Sequence, residues 1–234
     1  MKILPINLIA FSLAFIFFTI FGTLTHEYGH VIVAKYLGYQ TELHYGSMNY
    51  TNIDEEKLKE IYLRNESSIQ NNTNYPEKRA FENLSKKNNN NSLLVTIGGP
   101  FATIIIGTIG FIILLFSRKK SSQKVMKVQD WLFVFLSLFW LREIFNLVMS
   151  VSSAVLKGKK NYFGGDEKNI AQLLEIPSGS IAIPLAFFGL AISLFVIFKI
   201  IPKENRFNFI LSGLFGGIIG YILWLRTLGP ILMP

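Results

Sequence analysis

The sequence has no cysteine and only three histidines among its 234 residues. The absence of cysteine excludes a disulfide framework and every metal site built on thiolates. A metal ion in this protein would therefore have histidine nitrogens, carboxylates or carbonyl groups as its ligands.

Charged residues are also scarce, at 16% of the chain against about 25% in an ordinary soluble domain. Hydrophobic residues make up 50% of the sequence, and the mean hydropathy is +0.38. The net charge of +8 lies largely in short loops beside apolar stretches, without the aromatic-basic pattern typical of RNA or DNA binding. We therefore expect the lipid bilayer as a partner, and no nucleic acid.

Several apolar stretches reach the roughly 20 residues that a transmembrane helix needs. Membrane spans are predicted at about 3–24, 93–116, 131–156, 181–201 and 207–228. No small-x-small cleavage site follows the first stretch, so we expect it to remain rather than be removed as a signal peptide. The sequence predicts an all-α integral membrane protein with about five transmembrane helices, in one domain over 1–234. We expect a multi-pass protein of the cell membrane.

One large polar insertion, at about 39–92, follows the first span. It begins with a loosely alternating stretch from Gln40 to Tyr45, which predicts a strand or hairpin. Two short amphipathic helices are expected at about 54–64 and 76–87. The asparagine tract at 88–91 is predicted to be a flexible linker.

Glycine and proline mark the ends and faces of the predicted helices. Gly38 is expected to end the first helix, and Pro184 to lie in the first turn of the fourth span. Two glycine stripes predict close helix packing: Gly98, Gly99, Gly107 and Gly110 in the second span, and Gly213, Gly216, Gly217 and Gly220 in the fifth.

Two of the histidines, His26 and His30, lie four residues apart in the predicted first helix and so share one face. This spacing allows two imidazoles to hold one tetrahedral zinc ion. Glu27 points about 100° further round the helix, where it can act as general base towards a zinc-activated water. The alternative is a pair of core histidines that flank a glutamate by chance. Ionisable groups at the end of a membrane span are costly, which favours the metal site.

A catalytic zinc ion needs a third protein ligand, and Asp166 is the favoured candidate. It follows two glycines whose backbone freedom helps the carboxylate approach a metal. The alternative is that Asp166 caps the short helix after it. Tyr36 occupies the position where a longer soluble motif would have a histidine. Glu42 and the acidic run at 54–56 are interpreted as solvated or capping residues.

In chain order these features resemble the site-2 protease family of intramembrane metalloproteases, over roughly residues 10–175. His26-Glu27-Tyr28-Gly29-His30 matches the family's HExGH motif. The stretch at 34–46 resembles the entry to its membrane-associated β-hairpin, and Gly98-Gly99-Pro100 resembles its small-Gly-Pro motif. Asp166 corresponds to the aspartate of its later Asp-Gly motif, although Glu167 follows here, and Asn146 or Asn161 is a candidate for its conserved asparagine.

The resemblance implies a zinc endopeptidase that cleaves a membrane protein or membrane peptide within or near the bilayer. Glu27 would be its general base, and His26, His30 and Asp166 its zinc ligands. It also implies that the zinc lies near the cytoplasmic side, with the N-terminus outside. The positive-inside rule favours the reverse orientation, because the loop between the second and third spans is basic. That loop carries Arg118, Lys119, Lys120, Lys124 and Lys127.

A different class of function is a non-proteolytic membrane protein that binds or transports a metal through the two histidines. Such a protein would not need Glu27, and the sequence lacks further acidic or histidine residues along a continuous helical path. Arg142 and Glu143 in the third span are adjacent and so face different sides. They are interpreted as a polar lining of the site, as an interhelical ion pair or, if the span is shorter, as side chains that snorkel to the membrane surface. His44 is interpreted as a loop residue.

Overall fold

The computed structural model describes residues 5–120, 126–158 and 162–234. Within these residues, five helical segments are long and apolar enough to cross a membrane. They are Pro5–Tyr36, Lys78–Lys119, Val128–Leu156, Gly179–Ile200 and Lys203–Leu232. The predicted class, an all-α multi-pass membrane protein with five spans, is confirmed.

The first helix, α1 (Pro5–Tyr36), contains both the first span and the two motif histidines. Gly38 follows it with φ of 85°, a conformation that glycine adopts without a steric penalty. The Tyr39 amide then donates to the Ala34 carbonyl at 3.0 Å. The predicted end of the helix at Gly38 is therefore confirmed, and its cap is of the left-handed type.

The polar insertion begins with a β-hairpin, as predicted, formed by β1 (Gln40–Leu43) and β2 (Met48–Thr51). The strands are antiparallel, with Gln40 opposite Thr51 and Leu43 opposite Met48. Helix α2 (Ile53–Gln70) follows, and its N-cap Asn52 accepts a hydrogen bond from the Asp54 amide at 3.0 Å. It is longer than the helix predicted at 54–64.

The prediction of a separate helix at 76–87 followed by a flexible linker is wrong. A single helix of 43 residues, α3 (Lys78–Lys120), runs through the asparagine tract into the second span. Asparagine disfavours a helix by less than about 1 kcal/mol per residue, so tertiary contacts can outweigh its propensity. Such contacts are present, since Asn88 accepts a hydrogen bond from Asn52 and Asn91 donates to the Tyr39 hydroxyl.

The third span consists of α4 (Val128–Ser137), a 3₁₀ turn (Leu138–Trp140) and α5 (Leu141–Leu156). The short helix α6 (Gly165–Leu173) follows it. The fourth span is α7 (Gly179–Phe195) with a π-helical turn (Val196–Ile200). Because α7 begins at Gly179, Pro184 lies in its second turn, not in the first turn as predicted. The fifth span is α8 (Lys203–Ile222), a π-helical turn (Leu223–Leu228) and α9 (Gly229–Leu232).

Contacts between the spans give their relative directions. Phe11 packs against Trp131, and Phe18 stacks on Phe135, so α1 and α4 run the same way. Helix α8 runs parallel to α1, because Gly216 lies beside Ser12 and Gly220 beside Ile16. Helix α3 runs antiparallel to the third span, because Gly107 lies beside Trp140 and Gly110 beside Leu136. The predicted packing role of both glycine stripes is confirmed except at Gly217, which faces open space.

Candidate metal centre

The two motif histidines converge on Asp166 near the C-terminal end of α1. The Nε2 atom of His26 lies 2.8 Å from Asp166 Oδ2, and the Nε2 atom of His30 lies 3.3 Å from the same oxygen. Both histidines are buried. Candidate ligand atoms from the three residues all lie within 4.8 Å of one another. The chain thus brings together the three side chains that the sequence suggested as metal ligands.

Asp166 is not the N-cap of α6, which was the alternative considered from the sequence. The N-cap of α6 is Gly164, and Asp166 lies within the first helical turn. Gly165 has φ of 71°, and this left-handed step precedes the residue whose carboxylate faces α1. Burial raises the pKa of the Asp166 carboxyl, but hydrogen bonds to His26 and His30 outweigh this effect and hold the pKa below its usual range. The carboxylate faces both imidazoles.

Gly99 of α3 leaves the space that the imidazoles occupy. A Cβ atom at this position would lie 2.2 Å from His30 Nε2 and 2.7 Å from His26 Nε2. Any side chain larger than hydrogen would enter the volume beside the two ligand nitrogens. The sequence predicted this glycine only as a residue that permits close helix packing.

The backbone of α3 also orients one of the rings. His30 Nδ1 lies 2.7 Å from the Val95 carbonyl oxygen. The Gly99 amide nitrogen lies 3.2 Å from the same ring nitrogen, so a backbone acceptor and a backbone donor of α3 both meet Nδ1. These contacts place Nδ1 against α3 and leave Nε2 beside Asp166. His26 Nδ1 is buried with no hydrogen-bond partner among the described residues. The orientation of the His26 ring therefore depends on the contact of its Nε2 atom with Asp166 and on packing.

The donor set fits zinc. Two imidazole nitrogens and one carboxylate oxygen make a common three-ligand set of catalytic zinc sites, which leave one position open. Ligand atoms at tetrahedral zinc are roughly 3.3 Å apart, given bonds of about 2.0 Å. The separation between His30 Nε2 and Asp166 Oδ2 is 3.3 Å, and the His26 contact is shorter by half an ångström. A small side-chain movement that lengthens the His26–Asp166 distance would give the ligand separations of a tetrahedral site.

Glu27 lies beside the three ligand residues but outside their cluster, as its position on the helix predicted. Its side chain is 9% exposed, and its Oε1 atom lies 3.8 Å from Nη2 of Arg142 on α5. Two of the alternatives considered for Arg142 are therefore present in part. It lines the cavity, and it forms an interhelical ion pair with Glu27.

A second polar cluster lies between α6 and α5 and contains one hydrogen bond between them. Glu143 and Glu167 are 2% and 1% exposed, and Asn146 Nδ2 donates to Glu167 Oε1 at 3.0 Å. Glu167 was not recognised from the sequence as a buried residue. A signal was present, because Glu167 shares the helical spacing of Ile170 and Ala171, which are also buried. Glu143 has no hydrogen-bond partner among the described residues, and the Asn146–Glu167 hydrogen bond links α5 to the residue next to Asp166.

A cavity of about 460 Å³ opens over the centre. The turn and second strand of the hairpin form one wall, with Gly46, Ser47, Met48 and Tyr50. The other lining residues are His26, Glu27, His30, Val95, Thr96, Arg142, Asn146, Met149, Ser150, Gly165 and Asp166. A chain segment entering this cavity would meet the candidate ligands and Glu27 together.

The remaining residues considered as ligands lie elsewhere. His44 contacts Asn49 at 3.0 Å and lies outside the cluster, as predicted. Glu42 is exposed, and Tyr36 is 88% exposed. Asn161 and Lys124 lie outside the described residues. Of the two candidate asparagines, the structure therefore gives contacts only for Asn146.

Comparison with known proteins adds no identification. No family model, no curated protein and no solved structure matches the chain.

Proposed function

We propose that the protein is an intramembrane zinc endopeptidase, similar to the site-2 protease family, that hydrolyses a peptide bond of a membrane protein substrate. The observation that carries the proposal is the convergence of His26, His30 and Asp166 beside Glu27, in a cavity at the end of a membrane span. We also propose the cell membrane as its location.

The residues of this chain divide the chemistry between them. When bound by the two histidines and Asp166, zinc supplies a Lewis acid that lowers the pKa of a water molecule and polarises a carbonyl group. Glu27 accepts a proton as the water oxygen bonds to the carbonyl carbon. It then returns the proton to the amide nitrogen as the C–N bond breaks. The 9% exposure of Glu27 limits competing contacts with bulk water.

The contacts of Asp166 support a cation here. Its carboxylate oxygen lies 2.8 Å from His26 Nε2 and 3.3 Å from His30 Nε2. A divalent cation held by these three side chains would offset the charge of the carboxylate.

The metal is tested by measuring zinc content per chain in detergent-purified protein. We expect one zinc ion in the wild type, and its loss in His26→Ala and in Asp166→Asn. His44→Ala is the matched control, because it removes the remaining histidine without touching the cluster. Zinc retained in Asp166→Asn at wild-type affinity would remove Asp166 from the ligand set, and a zinc-free wild type would contradict the proposal.

Proteolysis is tested separately with Glu27→Gln in liposomes that contain quenched fluorogenic single-span peptides. We expect cleavage by the wild type and its loss in Glu27→Gln with zinc still bound. Glu60→Gln, which changes an exposed glutamate on α2, is the control. Zinc binding with no cleavage of any peptide would instead favour a metal-binding or metal-transport protein. Full cleavage by Glu27→Gln would contradict the role of Glu27 as general base.

A further inference from the structure

Arg142 lines the cavity, and its guanidinium forms no hydrogen bond with any residue that the structure describes. Within the described residues, its one ion pair is the 3.8 Å contact with Glu27, which is too long for a hydrogen bond. Its Nε atom is buried without a hydrogen-bond partner among these residues. The side chain is 25% exposed and lines the cavity beside the candidate metal ligands.

A purely structural role does not account for this geometry. A guanidinium that only neutralises buried carboxylates normally binds them directly, because an unpaired charge in a membrane segment is costly. Four carboxylates act on Arg142 electrostatically. No hydrogen bond to any of them is formed among the described residues, and the donors are left available to a molecule in the cavity.

We propose that the Arg142 guanidinium binds the carbonyl oxygen of the scissile peptide bond and stabilises the negative charge that develops on it. As the water oxygen bonds to the carbonyl carbon, the π electrons of the C=O bond move to this oxygen while Glu27 takes the proton. When the C–N bond breaks, the electrons re-form the C=O bond and the proton moves to the amide nitrogen. Arg142 is thus a catalytic residue, and this inference rests on the proposed peptidase function.

The distances fit this assignment. A general base lies about 3 Å from the oxygen whose proton it removes, and an oxyanion donor lies 2.7–3.1 Å from the developing charge. The attacking oxygen and the carbonyl oxygen are neighbours on one carbon atom. A donor 3.8 Å from the base, as Arg142 Nη2 is from Glu27 Oε1, can therefore reach the carbonyl oxygen while the base reaches the water.

The kinetic test uses Arg142→Gln and Arg142→Lys in the full chain, with the quenched peptide that the wild type cleaves. Loss of one oxyanion donor lowers kcat by about 100- to 1,000-fold. We expect such a fall in Arg142→Gln, with KM within about threefold of wild type and one zinc per chain. Lysine keeps the charge without the fork of donors, so Arg142→Lys should recover part of kcat. Arg79→Gln, an exposed arginine in the polar part of α3, is the control.

A binding measurement separates transition-state contact from structural support. A phosphinic analogue of the cleaved peptide carries a tetrahedral anionic group in place of the scissile amide, and we expect Arg142→Gln to weaken its binding about as much as it lowers kcat. A rise in KM with unchanged kcat would overturn the proposal in favour of a site for a substrate carboxylate. Loss of zinc in Arg142→Gln would overturn it in favour of support for the metal centre. A wild type that binds zinc but cleaves nothing would defeat the proposed function and this inference with it.

Discussion

At the scale of single residues, Gly99 controls the space beside both candidate histidine ligands. In Gly99→Ala, the new Cβ would meet His30 Nε2 at 2.2 Å and His26 Nε2 at 2.7 Å. The rings must move, and His30 is already held by the Val95 carbonyl. We expect zinc affinity to fall by at least about 10- to 100-fold, as it does when ligand orientation is disturbed.

Chelator competition on purified Gly99→Ala measures this loss. Gly217→Ala is the matched control, because Gly217 lies in a helix and faces open space. Equal zinc affinity in Gly99→Ala and the wild type would mean that the nitrogens near Gly99 are not metal ligands.

Asn146 contacts the residue next to Asp166, a candidate metal ligand. Its amide donates to the buried Glu167 carboxylate at 3.0 Å. Asn146→Ala leaves that carboxylate without this donor, which costs about 1–3 kcal/mol of stability. We expect zinc affinity to fall about 10- to 100-fold, as for other groups that orient a ligand.

The control for Asn146 is Asn7→Ala, which removes the hydrogen bond to Asn205 at the opposite end of the bundle. Titration with zinc, together with thermal unfolding of both variants, distinguishes the two effects. A stability loss shared by both variants, with unchanged zinc affinity in Asn146→Ala, would show that the cluster does not position Asp166.

The sequence predicted the local part of the site better than the distant part. His26, Glu27 and His30 lie within one helical turn and a half, so helix geometry alone relates them. Asp166 is 140 residues from His26, and only the fold decides whether it meets the histidines or caps a helix. The space left by Gly99 and the burial of Glu167 depend on contacts between different helices, which spacing along one helix does not reveal.

At the scale of elements, the α1–α8 interface depends on single glycines. A Cβ on Gly216 would lie 2.5 Å from the Ser12 carbonyl oxygen, a backbone atom that cannot swing aside, whereas one on Gly217 would meet nothing. Overpacking costs about 1–3 kcal/mol, so Gly216→Ala should lower the thermal midpoint in detergent. Gly217→Ala should raise it slightly or leave it unchanged, because alanine favours a helix by about 1 kcal/mol over glycine. Equal midpoints for the two variants would contradict this packing.

The elements that the sequence predicted well are those with a strong local signal. Apolar runs located all five spans, and alternation together with Gly38 located β1 and the end of α1. The asparagine tract failed as a linker signal because Tyr39 and Asn52 supply partners for it from other elements. Composition describes what a segment prefers in isolation, while these hydrogen bonds are formed only in the folded chain.

At the scale of the whole molecule, the directions of the spans separate two sets of loops. The candidate metal centre, the polar insertion and α6 lie at the C-terminal end of α1. The C-terminal end of α3, with Arg118 and Lys119, and the turn before α8 lie at its N-terminal end, where Asn7 contacts Asn205. The bundle therefore has one end that carries the candidate centre and an opposite end with basic residues.

This separation is testable because the chain has no native cysteine that would add background. We expect single cysteines at Glu66 and Asn169 to react with a membrane-impermeant maleimide from one side of the membrane, and those at Lys119 and Lys203 from the other. All four positions are exposed. Labelling of all four from the same side would contradict the five-span arrangement. If Lys119 labels from the cytoplasm, the basic loop obeys the positive-inside rule and the centre faces outward. If Glu66 labels from the cytoplasm, the orientation is the one that the resemblance to site-2 proteases implies, and the charge of the basic loop does not determine the topology.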